Sequence, residues 1–546
     1  MNLISCDDFI SRRSPVFAKN GMVASSQPLA TGAGLEILSA GGNAADAAVA
    51  VAAALQVTQP CSTGLGGDCF CLFYHAENRR VYGLNGSGAS PAALDLALVE
   101  SLGFQEGIPP YHALNVTVPG APAGWVDTIR KFGTMEMSEI LTPAIRLAEE
   151  GFPVAPMTSL GWSVGAERQL AHHRHGHELT IGGRGPAPGE LFRNPGLAAA
   201  MRTMGETGAE DFYEGDIAER IVKAVQEAGG VLALEDLAAH RSDWVEPIAI
   251  DYRGFRIFEC PPNGQGAAAL IALNILEQFE PPQDMTNSSD WYHIQIECMR
   301  VAFADAARYI ADPRHESIPL EELLSNNYAA ERAASIRMDR TDQNPAHGVF
   351  HKGSPGSDTV YFSVTDGYGN GCSFINSNYM GFGTGIVPEG CGYSLQNRGQ
   401  GFVLEEGHPN CIAPKKRPYH TIIPALATYP SSSELFAVFG VMGGFMQPQG
   451  HLQVASWLID GALDPQAALD RLRFQLQLGS PAKSVLFEAG PSEDICQNLE
   501  GRGHNIERVQ NRSRGAFGLG QVILRENNGV YCAGSDPRGD GCAMGL

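Results

Sequence analysis

Residues 359–378 read TVYFSVTDGYGNGCSFINSN, and this stretch decides the fold prediction. Apolar and polar side chains alternate over residues 359–365, as they do in a half-buried β-strand. Residues 366–371 are rich in Asp, Gly and Asn, which are typical of a turn. Residues 372–378 can return as the paired strand. The stretch therefore predicts an antiparallel β-hairpin whose first strand begins at Thr359.

The segment before this hairpin, residues 339–358, reads DRTDQNPAHGVFHKGSPGSD. Gly, Pro, Ser, Asn and Asp are concentrated in it, and it has hardly any apolar residue to anchor it to a core. We predict a flexible loop that ends where the strand begins. A backbone cut between Asp358 and Thr359 is sterically feasible, because the new ends can separate without breaking a sheet.

Thr359 can be interpreted in two ways. A threonine hydroxyl is a weak nucleophile that needs an adjacent base. An N-terminal threonine carries its own base, since a free α-amino group has a pKa of about 8. On the local pattern alone, Thr359 is better explained as an ordinary strand residue, because β-branched residues are common in strands. A more specific signal is required to identify a nucleophile.

The remaining periodic segments predict both helices and strands. Residues 29–57 have helical periodicity and many alanines, and the glycines at 41–42 divide them into two closely packed helices. Residues 217–228 predict an amphipathic helix, and residues 248–259 predict a hairpin around an Arg-Gly turn. Residues 260–279 predict a turn followed by a helix, and they lack the lysine of a phosphate-binding loop.

Composition excludes several classes of partner. The chain has 546 residues, with 38 basic and 60 acidic side chains and a formal charge of -22. This charge repels nucleic acid and anionic membranes. The first residues, MNLISCDDFISRRSPVFAK, do not resemble a signal peptide, and the apolar run Ala44–Val57 is shorter than the ~20 residues that span a bilayer. We predict a cytoplasmic protein without nucleic-acid or membrane partners.

Neither cysteines nor histidines indicate a metal site. The chain has 12 cysteines, and the only close set is Cys61, Cys69 and Cys71, without a second pair to complete a zinc site. We predict reduced thiols. The stretch HHRHGHE contains four histidines close together in sequence, whereas structural metal sites usually collect ligands from separate segments. We predict a solvated loop there, formed around His172, His173, His175 and His177.

Residues 359–387, TVYFSVTDGYGNGCSFINSNYMGFGTGIV, resemble the start of the small subunit of the gamma-glutamyltransferase family. The elements SV-x-D-x-x-GN and FGTGIV occur at the family's spacing without a gap. The resemblance covers most of the chain. Further matching motifs are GGNAADAAVAVAAALQVTQP (41–60), LGGDCF (65–70), VPGAPAGW (118–125), PPNGQG (261–266), ADP (311–313), KKRPYHTIIP (415–424), MGG (442–444) and SDPR (535–538).

The resemblance implies an α+β fold, the αββα sandwich of N-terminal-nucleophile hydrolases, built jointly by two autoprocessed fragments. Residues 1–358 would form the large subunit, ending in the loop 339–358. Residues 359–546 would form the small subunit, and the two fragments together would form one domain. The expected partners are thus the chain's own two fragments, with a higher oligomer left open, and a small-molecule amide substrate. The family chemistry requires no cofactor and no metal.

Carried over position by position, the resemblance assigns four catalytic residues. Thr359 falls on the nucleophile, which first cleaves the bond after Asp358. Ser377 falls on a second threonine that hydrogen-bonds the nucleophile, and it keeps the hydroxyl. Gly443 and Gly444 fall on the glycine pair whose backbone N–H groups stabilise the oxyanion.

The substrate-binding positions depart from the family pattern. His420 and Thr421 stand where the family has two serines that line the substrate pocket, and Tyr379 stands where a small amide is frequent. For His420, a charge that titrates near pH 6.5 and a space-filling role are both left open. The family's carboxylate-binding arginine has no counterpart in residues 84–91, LNGSGASP, and its amino-binding aspartate is replaced by Gly401.

Arg398, in the stretch LQNRGQGF, is the candidate replacement for the missing arginine. A guanidinium pairs with a carboxylate through two hydrogen bonds, and the neighbouring glycines would let a substrate approach. The alternatives are a structural ion pair and a solvated side chain. The QNRG variant at residues 396–399 resembles a soluble bacterial branch that includes glutathione hydrolase-like proteins and amidohydrolases of small oxo-amides.

By this resemblance, the leading prediction is an enzyme that cleaves a γ-glutamyl amide of the glutathione type through an acyl-enzyme. Water would then give hydrolysis, and an amine or peptide would give transfer. One alternative is an amidohydrolase of oxamate-type amides, or an acylase, that has lost glutamyl recognition. An alternative of another class is a non-catalytic binding protein that keeps the fold.

Overall fold

A computed structural model describes residues 13–346, 358–478, 483–490 and 493–546. The central part of the predicted loop, residues 347–357, lies outside the described residues. The strands are β1 (Val16–Ala18), β2 (Gly21–Ser25), β3 (Asp68–His75), β4 (Arg80–Gly86), β5 (Phe152–Pro153), β6 (Leu191–Phe192), β7 (Asp243–Val245), β8 (Ile248–Tyr252), β9 (Phe255–Glu259), β10 (Asp358–Asp366), β11 (Gly371–Tyr379), β12 (Ala425–Thr428), β13 (Leu435–Met442), β14 (Phe474–Leu476), β15 (Val485–Glu488), β16 (Ile506–Val509), β17 (Leu519–Arg525), β18 (Tyr531–Ser535) and β19 (Cys542–Gly545).

The α-helices lie between residues 28 and 501, and no α-helix lies between Ser335 and Met446 among the described residues. They are α1 (Pro28–Ser39), α2 (Ala44–Thr58), α3 (Leu96–Ser101), α4 (Ala121–Phe132), α5 (Met137–Glu150), α6 (Pro156–Arg168), α7 (Pro195–Thr207), α8 (Glu210–Glu214), α9 (Asp216–Glu227), α10 (Leu234–Ala238), α11 (Gly266–Leu276), α12 (Ser289–Tyr309), α13 (Leu320–Leu323), α14 (Asn326–Ser335), α15 (Met446–Ile459), α16 (Pro465–Asp470) and α17 (Glu493–Gly501).

Two antiparallel seven-stranded sheets form the centre of the molecule. Sheet I has the order β1-β18-β17-β13-β12-β9-β8, and sheet II has the order β19-β2-β10-β11-β3-β4-β7. The predicted hairpin is present as β10 and β11, in the middle of sheet II. Each of these two sheets contains strands from both sides of residue 358, so neither part of the chain builds either of them alone. Two smaller sheets, β5-β6 and β14-β15-β16, each come from one part of the chain.

The alternation in β10 determines how the layers stack. Val360, Phe362 and Val364 point outward into a core formed with helices α1, α2, α4 and α5. Tyr361 points to the other face and packs between the two sheets, where Val438 of sheet I also lies. Helices α11, α12 and α15 cover the outer face of sheet I. The layers therefore run helix, sheet, sheet, helix, and the predicted αββα class is confirmed.

The two alanine-rich helices pack closely, as predicted. Every residue of α2 is buried, and a Cβ atom built on Gly34 of α1 would lie 2.6 Å from Val51 of α2. Asn43 caps α2, and the Asp46 carboxylate closes the capping box and also accepts a hydrogen bond from the Thr134 hydroxyl at 2.7 Å. Small side chains thus let a buried helix lie directly on sheet II.

Three features of the described residues bear on the predictions from composition: the helices, the cysteines and the histidine-rich loop. No helix there has the length and apolarity that crossing a membrane requires. Every described cysteine is a free thiol, as predicted, and Cys71 and Cys372 approach to 3.5 Å between their sulfur atoms. The histidine-rich loop is only partly solvated: His172 and His177 are exposed, whereas the ring of His173 is half-buried and lies 3.0 Å from the Thr384 carbonyl oxygen.

Candidate active site

Thr359 lies in a β-bulge at the start of β10. The backbone register pairs Asp358 with Tyr379 and Val360 with Asn376, and it shifts between these pairs. Bulges often redirect a side chain beside an active site. Here the buried Thr359 hydroxyl donates a hydrogen bond to the Ser377 hydroxyl oxygen at 3.0 Å. The structure therefore brings together the two hydroxyls that the sequence predicts to be neighbours.

Ser377 is the point where three donors meet. Besides the Thr359 hydroxyl, its oxygen accepts hydrogen bonds from the Tyr379 backbone N–H at 2.8 Å and from Nη2 of Arg398 at 3.1 Å. A hydrogen bond from a charged donor is stronger than one from a neutral donor. Ser377 is therefore held in place by the guanidinium, and it holds the Thr359 hydroxyl in turn.

Arg398 is a fully buried cation. Its Nη1 donates to the Thr421 hydroxyl at 2.7 Å, and its Nε has no partner among the described atoms. Burial lowers the pKa of the guanidinium to about 10, and the charge of Asp68 opposes this shift. No described carboxylate pairs with it at ion-pair distance. Of the alternatives for Arg398, a solvated side chain is excluded, and so is an ion pair within the described residues.

Tyr379 covers the guanidinium. The centre of its ring lies 4.3 Å from the guanidinium carbon of Arg398, which is cation–π geometry. Its φ of 77° is in the left-handed region, which a bulky residue rarely adopts. In this conformation the Tyr379 backbone N–H donates a hydrogen bond to the Ser377 hydroxyl oxygen. Tyr379 therefore contacts Ser377 through its backbone and Arg398 through its ring.

His420 does not reach a described cavity. Its Nε2 lies 3.0 Å from a carboxylate oxygen of Asp68, and its Nδ1 accepts a hydrogen bond from the Ile422 backbone N–H at 3.3 Å. Burial, and then the charge of Arg398, lower the pKa of His420 to about 4. The ring is uncharged at neutral pH, which favours the space-filling alternative over a charge near pH 6.5. In this structure the ring supports Asp68, and its predicted contact with substrate stays a prediction.

Asp68 is a residue that the sequence analysis did not single out, although it lies in the LGGDCF motif. Its carboxylate is buried at the start of β3 and accepts four hydrogen bonds, including the one from His420. The other three donors are Gly88 N–H at 3.2 Å, Gly120 N–H at 3.0 Å and Gln396 Nε2 at 3.0 Å. Asp68 thereby ties β3 to the segment that carries Arg398.

Gly443 and Gly444 form the turn between β13 and α15. Their φ angles are 127° and 59°, which strain any residue with a side chain. The Gly444 carbonyl accepts a hydrogen bond from Nε2 of Gln265 at 2.8 Å, and the same nitrogen donates to the Thr421 carbonyl at 2.6 Å. Gln265 lies in the PPNGQG motif and was not predicted as a site residue. It joins the glycine turn to the Arg398 cluster.

Two cavities flank this cluster. The first has a volume of about 360 Å³ and is lined by Tyr379, Gly401, Tyr419, Thr421 and Phe445, among others, with the exposed Glu106 and Glu405 at its mouth. The second has a volume of about 140 Å³ and is lined by Thr359 and Gly443 among others. The structure thus places Tyr379, Gly401 and Thr421 together on the first cavity and Thr359 beside the second.

Gly401 cannot be replaced by the family's aspartate without a shift of its surroundings. A Cβ atom built there would lie 2.5 Å from the backbone oxygen of Tyr419. This explains in physical terms why the position has no side chain. The ammonium-binding carboxylate of the family pattern therefore has no counterpart at this position.

One group of described residues could hold a metal ion, and it lies outside the four-histidine loop. It consists of His293, Glu297 and His504, which are all buried. The two imidazoles already contact each other at 2.8 Å, and Arg300 lies 3.3 Å from the Glu297 carboxylate. Because the carboxylate is already paired with a cation, a divalent ion would add uncompensated charge. We assign no metal to this group.

The sandwich with a threonine at the head of a central strand defines the class of the protein, an N-terminal-nucleophile hydrolase fold. A family model described as gamma-glutamyltranspeptidase matches residues 30–546. The chain therefore belongs to the gamma-glutamyltranspeptidase family, and the predicted resemblance is confirmed.

Similar proteins differ in the amide they are named for. The chain is 34% identical to the glutathione hydrolase-like YwrD proenzyme of Bacillus subtilis, over 97% of this chain and 99% of that protein. It is 32% identical to the oxamate amidohydrolase proenzyme of Klebsiella pneumoniae, over 96% and 98%. The crystal structure of cephalosporin acylase from Bacillus halodurans shares 44% identity with a TM-score of 0.92, covering 100% of this chain and 99% of that one. These similar proteins are named for different substrates.

Proposed function

We propose that this chain is a self-cleaving amidohydrolase that uses Thr359 as its nucleophile. The observation that carries the proposal is the hydrogen bond from the Thr359 hydroxyl to Ser377 at a strand-initial bulge. The names of the similar proteins support it, because several are called proenzymes. Residues 1–358 and 359–546 are then the two subunits. Both subunits contribute strands to each seven-stranded sheet.

Self-cleavage begins with an acyl shift, in which the acyl group of Asp358 moves from the backbone nitrogen of Thr359 to its hydroxyl oxygen. The Thr359 hydroxyl attacks the carbonyl carbon of Asp358, and the peptide C–N bond breaks to leave an ester and a free α-amine. Water hydrolyses the ester, which frees the carboxylate of Asp358 and restores the hydroxyl. Ser377 orients the Thr359 hydroxyl in the first step, because its oxygen already accepts a hydrogen bond from that hydroxyl.

Turnover repeats the attack on an external amide. The new α-amine of Thr359 accepts the hydroxyl proton while the oxygen attacks the substrate carbonyl. Backbone N–H groups of the turn at Gly443 and Gly444 stabilise the oxyanion. Expulsion of the amine leaves an acyl ester on Thr359, and water or a second amine then takes the acyl group.

The first donor class is γ-glutamyl amides of the glutathione type. Arg398 provides the cation for a donor carboxylate from behind Tyr379 and Thr421, which contact it and line the first cavity. It is desolvated, so pairing with an anion stabilises it strongly. The carboxylates of Glu106 and Glu405 at the cavity mouth provide a place for the donor ammonium group. Glutathione hydrolases occur among the similar proteins, at 30% identity in Escherichia coli.

A second candidate is an amidohydrolase or acylase whose donor has no ammonium group, such as an oxamate-type amide. Two observations favour it: residues 84–91 contain no arginine, and a side chain at Gly401 would collide with the Tyr419 backbone oxygen, so this position offers no carboxylate. Both candidates use Arg398 for a donor anion. They differ only in whether an amino group is recognised.

Two experiments test the proposal. A denaturing gel of purified protein should show two fragments, and sequencing of the smaller one should begin Thr-Val-Tyr-Phe. A single full-length band after prolonged incubation would favour the non-catalytic alternative. Release of aniline from a γ-glutamyl anilide, compared with ammonia release from oxamate and deacylation of an N-acylated β-lactam nucleus, then separates the donor classes. Activity on only the last two would exclude glutathione-type donors.

A further inference from the structure

A third cavity lies along helix α4. It has a volume of about 290 Å³, and Ala123, Val126, Asp127 and Arg130 line it from one face of that helix. Trp125 lies on the opposite face of α4, where it is fully buried. The helix therefore presents one face to this cavity and the other to the interior of the protein.

Two buried aromatic residues, Tyr213 and His240, also line the third cavity. Their rings stack with centres 5.2 Å apart. His240 is 8% exposed, and its Nε2 has no hydrogen-bond partner among the described atoms. Burial lowers the pKa of His240 to about 4, so the ring is uncharged at neutral pH. Because a buried polar atom without a partner costs free energy, a ligand that hydrogen-bonds this ring is favoured.

Three exposed charges at the cavity have no partner at ion-pair distance within the described ranges. Glu210 and Glu214 lie at the two ends of α8, and Arg241 follows α10. Asp127 and Arg130, by contrast, pair with each other at 2.9 Å. A ligand with an ammonium group and a carboxylate complements both signs of unpaired charge. The volume is close to the lower limit of the roughly 300–1,000 Å³ typical of ligand pockets, so it suits a small molecule.

Tyr213 joins the third cavity to the start of α4. Its hydroxyl donates to the Pro119 carbonyl at 2.8 Å and accepts a hydrogen bond from the Ala123 N–H at 3.2 Å. Gly120, which follows Pro119, donates its N–H to the Asp68 carboxylate at 3.0 Å. A continuous chain of contacts therefore connects the cavity to Asp68.

A second connection runs through the opposite face of α4. Trp125 Nε1 donates to Oδ1 of Asn376 on β11 at 3.0 Å. Asn376 precedes Ser377, whose oxygen accepts the hydrogen bond from the Thr359 hydroxyl. A ligand that restrains α4 therefore acts on Asp68 and also on the strand that carries Ser377.

We propose that the third cavity is an effector site for a small zwitterion of the α-amino acid type. The ammonium group of the ligand contacts Glu210 and Glu214, and its carboxylate contacts Arg241. Occupancy raises turnover at Thr359, because the restrained helix holds Asp68 and β11 in the arrangement that the structure shows. The effect on turnover rests on the proposed function, whereas binding of the ligand does not.

Calorimetry with N,N-dimethylglycine tests the binding. Its tertiary amine cannot take an acyl group to form an amide, so it is no acceptor for transfer. Two analogues each lack one charge: 3-methylbutanoate keeps the carboxylate, and N,N-dimethylglycinamide keeps the ammonium group. We expect the mature protein to bind the zwitterion at least about tenfold more tightly than either analogue, because each analogue loses a charge-assisted hydrogen bond.

Removal of charge at the cavity should weaken this binding. The double variant Glu210→Gln/Glu214→Gln and the single variant Arg241→Gln should each lower the affinity about tenfold. Glu206→Gln and Arg202→Gln are the matched controls, because Glu206 and Arg202 are exposed residues of α7 that do not line the cavity. Both controls should bind N,N-dimethylglycine as the parent protein does.

Donor kinetics test the effect on turnover. Saturating N,N-dimethylglycine should raise kcat/KM for a carboxylate-bearing anilide at least about fivefold, the lower end of usual coupling between two sites. Arg241→Gln should keep the kcat/KM measured without ligand and should need about tenfold more ligand for the same rise. Arg398→Met should keep the affinity for the ligand, since Arg398 belongs to the cluster beside the first cavity.

Four results would each overturn the inference. The mature protein binds the zwitterion no more tightly than the analogues, the cavity variants bind it as the parent does, the affinity is lost in Arg398→Met instead, or saturation leaves kcat/KM unchanged. Failure of the proposed function gives a different result, in which the parent protein shows no cleavage and no acyl-enzyme while calorimetry still measures binding at the cavity.

Discussion

The Arg398 guanidinium lies 3.1 Å from the Ser377 oxygen, on the same oxygen that accepts the Thr359 hydroxyl at 3.0 Å. One side chain thus connects the proposed nucleophile to a buried positive charge. The consequence is a site in which recognition of a donor anion and positioning of the nucleophile are coupled, because both depend on the same guanidinium.

Substitutions of Thr359 and Ser377 should distinguish the proposed nucleophile from the residue that hydrogen-bonds it. Thr359→Ala should remain a single full-length chain on a denaturing gel, since no hydroxyl is left to attack. Thr359→Ser should still cleave. Ser377→Ala should cleave and turn over about fivefold more slowly, because one hydrogen bond contributes roughly 1 kcal/mol. Ser377→Thr should recover the lost rate, and its failure to do so would contradict the hydrogen-bonding role.

Arg398→Met should lower activity without lowering stability. Loss of the cation should lower kcat/KM for carboxylate-bearing donors by at least about thirtyfold, as expected when one partner of a buried charge pair is truncated, ~2–5 kcal/mol. The free energy of unfolding should not fall, because an unpaired buried charge is removed. Thermal unfolding and donor kinetics on the same preparation check both. A drop in melting temperature with unchanged kinetics would assign Arg398 a purely structural role.

His420 should make the free energy of unfolding depend on pH. Its pKa is about 4 in the folded state, below the ordinary value near 6.5 of the unfolded chain. The unfolded state therefore binds more protons between these values, and stability falls as pH drops from 6.5 to 4, by at most roughly 3 kcal/mol from this residue. Urea unfolding of the parent and of His420→Gln should differ in slope by one proton in this window. Equal slopes would contradict the buried, uncharged ring.

Gln265→Glu should slow catalysis without weakening donor binding. The carboxylate cannot donate to the Gly444 and Thr421 carbonyls, so the glycine turn loses its restraint. We expect kcat to fall about tenfold with a small change in KM, because the affected N–H groups act mainly in the transition state. Gln226→Glu is a matched control, since Gln226 donates to the Leu232 carbonyl far along the chain from the site motifs. A rise in KM alone would contradict the proposal.

Local sequence patterns determined much of the fold. Alternation over residues 359–365 depends only on the two-residue period of a strand, and the alanines of α2 depend only on helical periodicity, so both were predictable. The hydroxyl pair Thr359 and Ser377 was predicted from the family resemblance, and the bulge that brings the two side chains together was not predicted.

Only the tertiary structure decided how the remaining polar residues act. Asp68, Gln265 and His420 come from distant segments, and their hydrogen bonds form only when both sheets assemble. The sequence shows that Arg398 is present, but burial without a carboxylate partner is a property of the packed chain. Local periodicity acts through neighbours along the chain, whereas desolvation and long-range hydrogen bonds depend on what the fold places nearby. That difference explains why the family resemblance could indicate Thr359 and Arg398 as site residues, whereas the hydrogen bonds that join Arg398 to Ser377 and Thr359 were apparent only in the structure.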